Sequence, residues 1–572
     1  MSPLKMVAPS ANTRGRASAV LLACGLGIAA LLYRWMIVAE DGAWKNFGSV
    51  SETTSARKGG SPSPKDDRVN IVLYLADDLG VGEVNQQNPE WGFGTPSWAS
   101  ELLHPDRIIH TPNLERLARM GVRSVNSYAP TSLCGPSRYA ILVGRHVGLN
   151  PVAGNLGSGV GDFAMPSSER TVASLFASKG YDTVAIGKWG LGDALSTGAP
   201  WKQGFKSYTG CLTHAECHKY FPTIVDEYNE TRGHWKTQYR QNEGSSKQRC
   251  MKKGSCAYAS DIFREKAIGY LRKWAHRTTS RRSPFFMYWA PTTPHAGVWE
   301  QTERHRLLTS PVPSFGTMYT SKRSRDGWTD ARKGHAAMIT EHIDRDVGAL
   351  LDVLLEENIA NDTLVVFASD NGPHRELKAD PRYAPSWFAA SGGFRGIKRD
   401  MFEGGLRSPT ITWWRGRIEG GRRLGLPWAL YDLGLTFAEA AGIRVNPKQG
   451  LGVLKGSESI LPHLLLDLES DRSNETSSSA PGVRDALYFE LCPQNKANNC
   501  TWALLNLKNK GGADRLKFVH VNEGDGLAAY DILVDPTEAV NMASTLPTNI
   551  IRAAQSRRDT TSYRTRFAGG SG

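Results

Sequence analysis

Short apolar segments that each end in a charged or polar residue constrain the fold of this chain most. Val69-Asn70-Ile71-Val72-Leu73-Tyr74-Leu75-Ala76 runs into Asp77-Asp78-Leu79-Gly80, and Thr363-Leu364-Val365-Val366-Phe367-Ala368 runs into Ser369-Asp370-Asn371-Gly372. Thr183-Val184-Ala185-Ile186 ends in Gly187-Lys188, and Pro284 to Ala290 ends near His295. Runs of this length and composition read as buried strands. Helical segments lie between them: Thr111 to Ala118 with Pro112 in its first turn, Thr171 to Lys179, and a long helix from His335 to Glu357. This alternation predicts an α/β fold, a large mostly parallel sheet flanked by helices. Ligands gather at the carboxyl ends of strands in such sheets, so Asp77, Asp78, Lys188, His295, Asp370 and Asn371 are expected along one edge.

At 572 residues the chain exceeds one ordinary domain of roughly 100 to 200 residues. The main domain is expected over residues 69–480, with the segments Cys211 to Cys256 and Glu300 to Trp328 as inserts that rim its pocket. Over 481–550, shorter candidate strands at Ala486 to Leu491, Trp502 to Asn506, Leu516 to Val521 and Ala528 to Leu533 predict a smaller C-terminal antiparallel subdomain. Residues 551–572 are basic and Ser/Thr-rich, as in a flexible tail, and 40–68 have the Ser, Thr, Gly, Pro and Lys composition of a disordered linker. Ahead of that linker, Arg14 and Arg16 precede an apolar run from Ala17 to Tyr33 that resumes after Arg34 and reaches Ala39. Residues 1–39 therefore read as a signal peptide or a signal anchor. No clean small-x-small cleavage site follows, which favours a single-pass membrane anchor with the rest of the chain lumenal or extracellular.

An oxidising compartment agrees with the glycosylation patterns at Asn229, Asn361, Asn474 and Asn499. Apart from Cys24 and Cys134, the cysteines form an even set, Cys211, Cys217, Cys250, Cys256, Cys492 and Cys500, which predicts three disulfides. Spacing suggests Cys492 with Cys500 and leaves local or crossed pairing open for the others. A zinc site is disfavoured, because no histidines stand at finger-like spacing beside them. The net charge of +13 is spread along the chain and reads as a solvated basic surface with basic tails, not a nucleic-acid interface.

Thr131-Ser132-Leu133-Cys134-Gly135-Pro136-Ser137-Arg138, followed by Gly144-Arg145, sets one cysteine in a fixed local frame. Cys134-x-Pro136-Ser137-Arg138 resembles the signature at which a modifying enzyme of the secretory route converts cysteine to formylglycine in sulfatases. Ordered matches extend the resemblance from Val69 to about Ala543: the strand ending in Asp77-Asp78-Leu79-Gly80, Gly187-Lys188-Trp189-Gly190-Leu191-Gly192, Pro294-His295, Ser369-Asp370-Asn371-Gly372, Gly396-x-Lys398 with Glu403 to Pro409, and Tyr530-Asp531 with Asp535-Pro536. On these residues the chain is similar to arylsulfatase-like members of the sulfatase family, within the alkaline phosphatase superfamily.

The resemblance implies a nucleophile at residue 134, as hydrated formylglycine, that attacks sulfur and is sulfated in passing. Arg138 would hold the modified residue, Lys188 and Lys398 would contact sulfate oxygens, and His295 would protonate the leaving oxygen. Asp77, Asp78, Asp370 and Asn371 would hold Ca2+, with Mg2+ the alternative. The implied partners are a sulfated small molecule or sulfated glycan as substrate, and the formylglycine-generating enzyme during maturation. Two other readings stand beside this one: a phosphonate or phosphodiester hydrolase of the same superfamily, and a membrane-tethered protein that holds sulfated glycans without catalysis.

One position departs from the family pattern. Many members carry a histidine two residues after the motif lysine, where this chain has Gly190. His218, in Cys217-His218-x-Tyr220, is the candidate replacement, and His214 is the weaker one. Asn155 is expected near the pocket, and His374 or Arg375 could meet an anionic part of a substrate.

Overall fold

The computed structural model describes residues 68–88, 90, 92–93, 105–155, 162–244, 255–278, 282–297, 316–376, 384–445, 454, 456–465, 484–493, 500–507, 515–521 and 526–562. All of them belong to one compact unit, Lys65–Gly572. In chain order its strands are β1 Asn70–Ala76, β2 Val122–Ser124, β3 Ser127–Tyr128, β4 Asp182–Lys188, β5 Ser207–Cys211, β6 Ile224–Asn229, β7 Gly233–Gln238, β8 Phe285–Ala290, β9 Thr363–Ser369, β10 Thr410–Trp414, β11 Arg422–Leu424, β12 Trp428–Ala429, β13 Ala486–Leu491, β14 Thr501–Asn506, β15 Leu516–His520 and β16 Leu527–Asp531.

The main sheet has the order β11-β2-β10-β9-β1-β8-β4-β5-β6-β7. Its centre, β9-β1-β8-β4-β5, is parallel, while β10 and the β6-β7 hairpin add antiparallel pairs on either side. β1, β8 and β9 are buried along their whole length, which is why they read as nearly unbroken apolar runs. Alternate residues feed two cores: Val72 and Tyr74 pack with Val365, Phe367 and Trp289, whereas Ile71 and Leu73 pack with Leu364, Val366 and Tyr288. Parallel register brings the carboxyl ends of the central strands to one edge, with Ala76 opposite Ser369 and Gly187 opposite Ala290.

The long helix expected from His335 begins earlier. Thr329 Oγ1 accepts from the Arg332 amide and caps Asp330–Ala337, which passes through a π turn, Met338–Asp344, into Arg345–Glu356. Among its described residues, the insert after Cys211 enters the pocket only at its start. Its β6-β7 part, expected to rim the pocket, instead extends the main sheet, with Trp201 stacked on Tyr228 at 4.9 Å. Of the second insert, residues 300–315 lie outside the described residues.

The C-terminal strands form an antiparallel sheet, β13-β14-β15-β16, in sequence order. Beyond it the structure differs from the expected tail: Thr548–Thr561 is a helix. Ile550, Ile551 and Ala554 lie on one face, three and four residues apart, and pack against Tyr488, Trp502, Leu504 and Phe518. Cys211–Cys217 and Cys492–Cys500 are disulfides, Cys256 is disulfide-bonded, and Cys134 is free and buried. Cys250, Asn474 and Asn499 lie outside the described residues.

The expectation of a transmembrane segment is corrected. No helix among the described residues is long and apolar enough to cross a membrane. Ala259–Ala275, for example, has 17 residues with charged side chains along it, against the ~20 apolar residues a span requires. The run from Ala17 to Ala39, where the segment was expected, lies outside the described residues.

Candidate active site

The Cys134–Val143 helix begins with the signature itself. Pro136 sits in the first turn, where its missing N–H costs nothing, and the four-residue spacing puts Cys134 and Arg138 on one helix face. Cys134 Sγ marks where an oxygen would sit if the residue were converted to formylglycine, whose oxygen-bearing carbon is the cysteine Cβ. Arg138 is wholly buried, with Nε and Nη2 at 2.9 and 2.8 Å from Asp370 Oδ2 and Nη2 at 3.4 Å from Asp77 Oδ1. Ser137 Oγ donates to the Asp370 carbonyl at 2.6 Å. Two consecutive residues thus fasten the helix to the end of β9.

Asp77 and Asp78 leave β1, and Asp370 and Asn371 leave the adjacent β9. Asp77, Asp78 and Asp370 each bring a carboxylate oxygen within 4.8 Å of the others. Asp78 has φ of 68°, a left-handed conformation that costs on the order of 1–3 kcal/mol outside glycine. It is held there by Asn371 Nδ2 at 2.7 Å and Lys398 Nζ at 2.8 Å.

The donor set fits a hard divalent cation. Asp77 Oδ1 and Asn371 Oδ1 are buried and accept no hydrogen bond among the described residues, which is costly for oxygens removed from water. Arg138, Lys188 and Lys398, all buried, face the carboxylates of Asp77, Asp78, Asp370 and Glu376, and Arg399 also meets Glu376. A divalent cation among these carboxylates would add positive charge beside an anionic sulfate. Burial works to raise Asp77, yet Lys188 and Arg138 hold it well below the usual carboxylate range. For Asp370 burial wins over Arg138, with Asp77 and Asp78 adding to the rise.

β4 delivers Lys188, whose Nζ lies 2.7 Å from Asp77 Oδ2, and Lys398 Nζ lies 2.8 Å from both Asp78 Oδ2 and Glu376 Oε1. His295 Nδ1 lies 2.7 Å from the Ala296 carbonyl, which fixes the proton on Nδ1 and leaves Nε2 facing Asp78 Oδ2 at 3.4 Å and Glu376 Oε1 at 3.6 Å. Burial and the Lys398 charge lower its pKa to about 4. Cys134 shows the opposite balance: burial would raise the thiol, but Lys188, Lys398 and His214 bring it down to about 5. The pocket therefore favours negative charge at residue 134.

The structure brings Asp77, Asp78, Cys134, Arg138, Lys188, His295, Asp370, Asn371 and Lys398 together. His218 is placed elsewhere than expected: its ring stacks on His295, centroids 3.9 Å apart and 12° from parallel, and burial keeps it neutral. His214 is the histidine beside Cys134, and Asn155 Nδ2 approaches the same sulfur at 3.6 Å. His374 is buried with its ring 5.8 Å from that of His295, whereas Arg375 is exposed. Sequence reading missed Glu376, which meets Lys398, His295 and Arg399; its closeness in sequence to Asp370 is the one signal.

The Sulfatase family model matches residues 69–443. Homo sapiens N-acetylgalactosamine-6-sulfatase is 29% identical over 459 residues, covering 77% of this chain and 73% of its own length. The Mus musculus protein of the same name is 30% identical over 432 residues, covering 72% and 68%. The crystal structure of Ps i-CgsB has the same fold, with a TM-score of 0.62 at 23% identity over 87% of this chain and 93% of that one. The matched span carries every strand end that supplies the pocket, and the chain belongs to the sulfatase family as a sulfuric ester hydrolase of the arylsulfatase-like group.

Proposed function

We propose that this hydrolase removes a sulfate ester from a sugar, using formylglycine made from Cys134 and Ca2+ held by Asp77, Asp78, Asp370 and Asn371. The buried cations beside residue 134 carry the reading: Lys188 and Lys398, with His214, are arranged before any substrate arrives to stabilise negative charge there, and they lower the Cys134 thiol. The sugar is supported by the relatives named N-acetylgalactosamine-6-sulfatase, at 29–30% identity, above arylsulfatases H and D at 26% and steryl-sulfatase at 27%.

Hydrated formylglycine supplies a hydroxyl nucleophile, and the cation offsets charge on the sulfuryl oxygens. The chain's own residues do the rest. Arg138 keeps Asp370 in place and sets the helix that presents residue 134. Lys188 and Lys398 are buried cations, paired with Asp77 and Asp78, that would contact the sulfuryl oxygens. His295 rests neutral; an anionic sulfate beside Nε2 raises its proton affinity, so that it passes a proton to the departing alcohol oxygen, with Lys398 Nζ the other donor within reach. The disulfides support maturation in an oxidising, lumenal or extracellular compartment, where the formylglycine-generating enzyme would act.

The test is protein from a secretory host, with peptide mass measured across residue 134 and kcat/KM compared on N-acetylgalactosamine 6-sulfate, 4-nitrophenyl sulfate and 4-nitrophenyl phosphate. Formylglycine at 134 and preference for the sugar sulfate are expected. Unmodified cysteine at full occupancy overturns the mechanism, preference for the phosphate overturns the sulfate reading, and preference for the aryl sulfate overturns the sugar.

A further inference from the structure

We infer that His214, oriented by Asp162, is a catalytic residue in direct contact with residue 134, and that Gly190 and Gly135 lack side chains because its ring and Asn155 fill their space. The inference rests on the sulfatase reading and names the proton acceptor of its second step.

A Cβ built on Gly190 would lie 2.6 Å from His214 Cε1, 3.0 Å from Nε2 and 3.1 Å from Nδ1. Gly190 also has φ of 72°, so it satisfies a left-handed turn and the approach of the ring together. On Gly135, a Cβ would meet Asn155 Oδ1 at 2.2 Å and His214 Cε1 at 3.5 Å. His214 therefore occupies the space that a side chain at position 190 would take.

Its orientation is fixed from the other side. Asp162 Oδ2 accepts the His214 backbone N–H at 2.7 Å, and Asp162 Oδ1 lies 2.9 Å from Nδ1. His214 in turn holds Asp162 below the usual carboxylate range despite burial, so Asp162 is ionised and Nδ1 carries the proton. Nε2, buried and bonded to no other group among the described residues, is left to face residue 134. The Cys211–Cys217 disulfide closes the turn that carries the histidine.

Once residue 134 carries the sulfate on one oxygen, its other hydroxyl must lose a proton. Nε2 accepts that proton, the O–H electron pair forms the C=O bond, and the bond from carbon to the sulfate oxygen breaks with its electrons leaving on inorganic sulfate. Atoms and charge balance without any added reactant.

The experiment compares His214→Ala, Asp162→Asn and Gly190→Ala with wild type, each rate normalised to formylglycine occupancy from peptide mass, with intact mass recorded during turnover. His214→Ala is expected to lose at least ~100-fold in kcat, the lower end for a general base, and to accumulate protein heavier by one sulfuryl group. Gly190→Ala, whose added methyl meets the His214 ring, displaces the ring and lowers kcat in the same way. The pair His214→Ala with Gly190→Ala is then no slower than His214→Ala alone. Turnover of His214→Ala within threefold of wild type overturns the inference, as does a slow variant that accumulates no sulfurylated protein, or additive losses in the pair. Wild type that carries formylglycine yet cleaves no sulfate ester overturns the functional reading instead.

Discussion

Asp370 links three parts of the site at the scale of a single side chain. Its carboxylate takes two contacts from Arg138, and its backbone carbonyl takes the Ser137 hydroxyl. Burial pushes its proton affinity up, a cost that a divalent cation would relieve. Asp370→Asn keeps the shape but gives up the charge. With calcium at about 100 times its dissociation constant, wild type should gain about 2.7 kcal/mol in urea unfolding, lost again on chelation. The asparagine variant should show almost none of that gain. An equal calcium-dependent gain in the variant would remove Asp370 from the cation site. Magnesium in place of calcium tests the identity of the ion in the same titration.

Among the elements, the sequence was legible where burial is complete on both sides. β1 and β9 are apolar throughout, and the charged residues that follow them stand out. The β6-β7 hairpin is half-exposed, with a pattern a surface insert would share, so its place at the sheet edge could not be read. His214 and His218 are four residues apart, about one helical turn, and which ring faces residue 134 is decided by Asp162, 52 residues away in sequence. Helix packing on β1 holds a testable group of the same hidden kind. Asp346, at the start of Arg345–Glu356, accepts from Tyr74 OH at 3.0 Å and meets Arg264 Nη1 at 3.4 Å, yet burial raises its pKa to about 7. The native carboxyl therefore keeps a proton that the unfolded chain releases near pH 4. Between about pH 4 and pH 7 the unfolded state binds fewer protons, so this group's contribution to stability falls as pH rises, by roughly 4 kcal/mol at most. Asp346→Asn should lose that fall, read as the difference between the two proteins in urea unfolding at pH 4.5 and 7.5. Asp344, raised to about 6 by burial, titrates in the same window in both proteins and cancels in the difference. A constant difference across pH would place the charge change elsewhere.

At the scale of the whole molecule, the C-terminal sheet packs against the segment that carries residue 134. Leu133 and Cys134 pack in one apolar cluster with Leu487, Phe489 and Leu491 of β13, and Thr131 Oγ1 donates to the Glu490 carbonyl at 2.8 Å. Beneath that cluster lies an ionic joint. Lys517 on β15 is wholly buried, with Nζ at 2.8 Å from Glu403 Oε1 and 2.9 Å from Glu538 Oε1, and Glu403 Oε2 also meets Arg407 Nε at 2.5 Å. Burial would raise Glu403, but Lys517 and Arg407 hold it down to about 2; Glu538, for which burial dominates, rises to about 7. Lys517→Met takes the buried ammonium from both carboxylates and leaves Arg407 on Glu403, and losing one partner of a buried ion pair costs about 3–5 kcal/mol. The two sheets share this joint and an apolar cluster, so the variant should unfold at lower urea in a single transition followed alike by tryptophan fluorescence and circular dichroism. Adding Glu538→Gln removes the carboxyl least able to stay charged and should restore part of the loss, a coupling that independent sites would not show. Separate melting of the C-terminal sheet, with the main sheet and sulfate turnover intact, would mean instead that residue 134 is positioned by the Arg138 and Ser137 contacts without help from β13–β16.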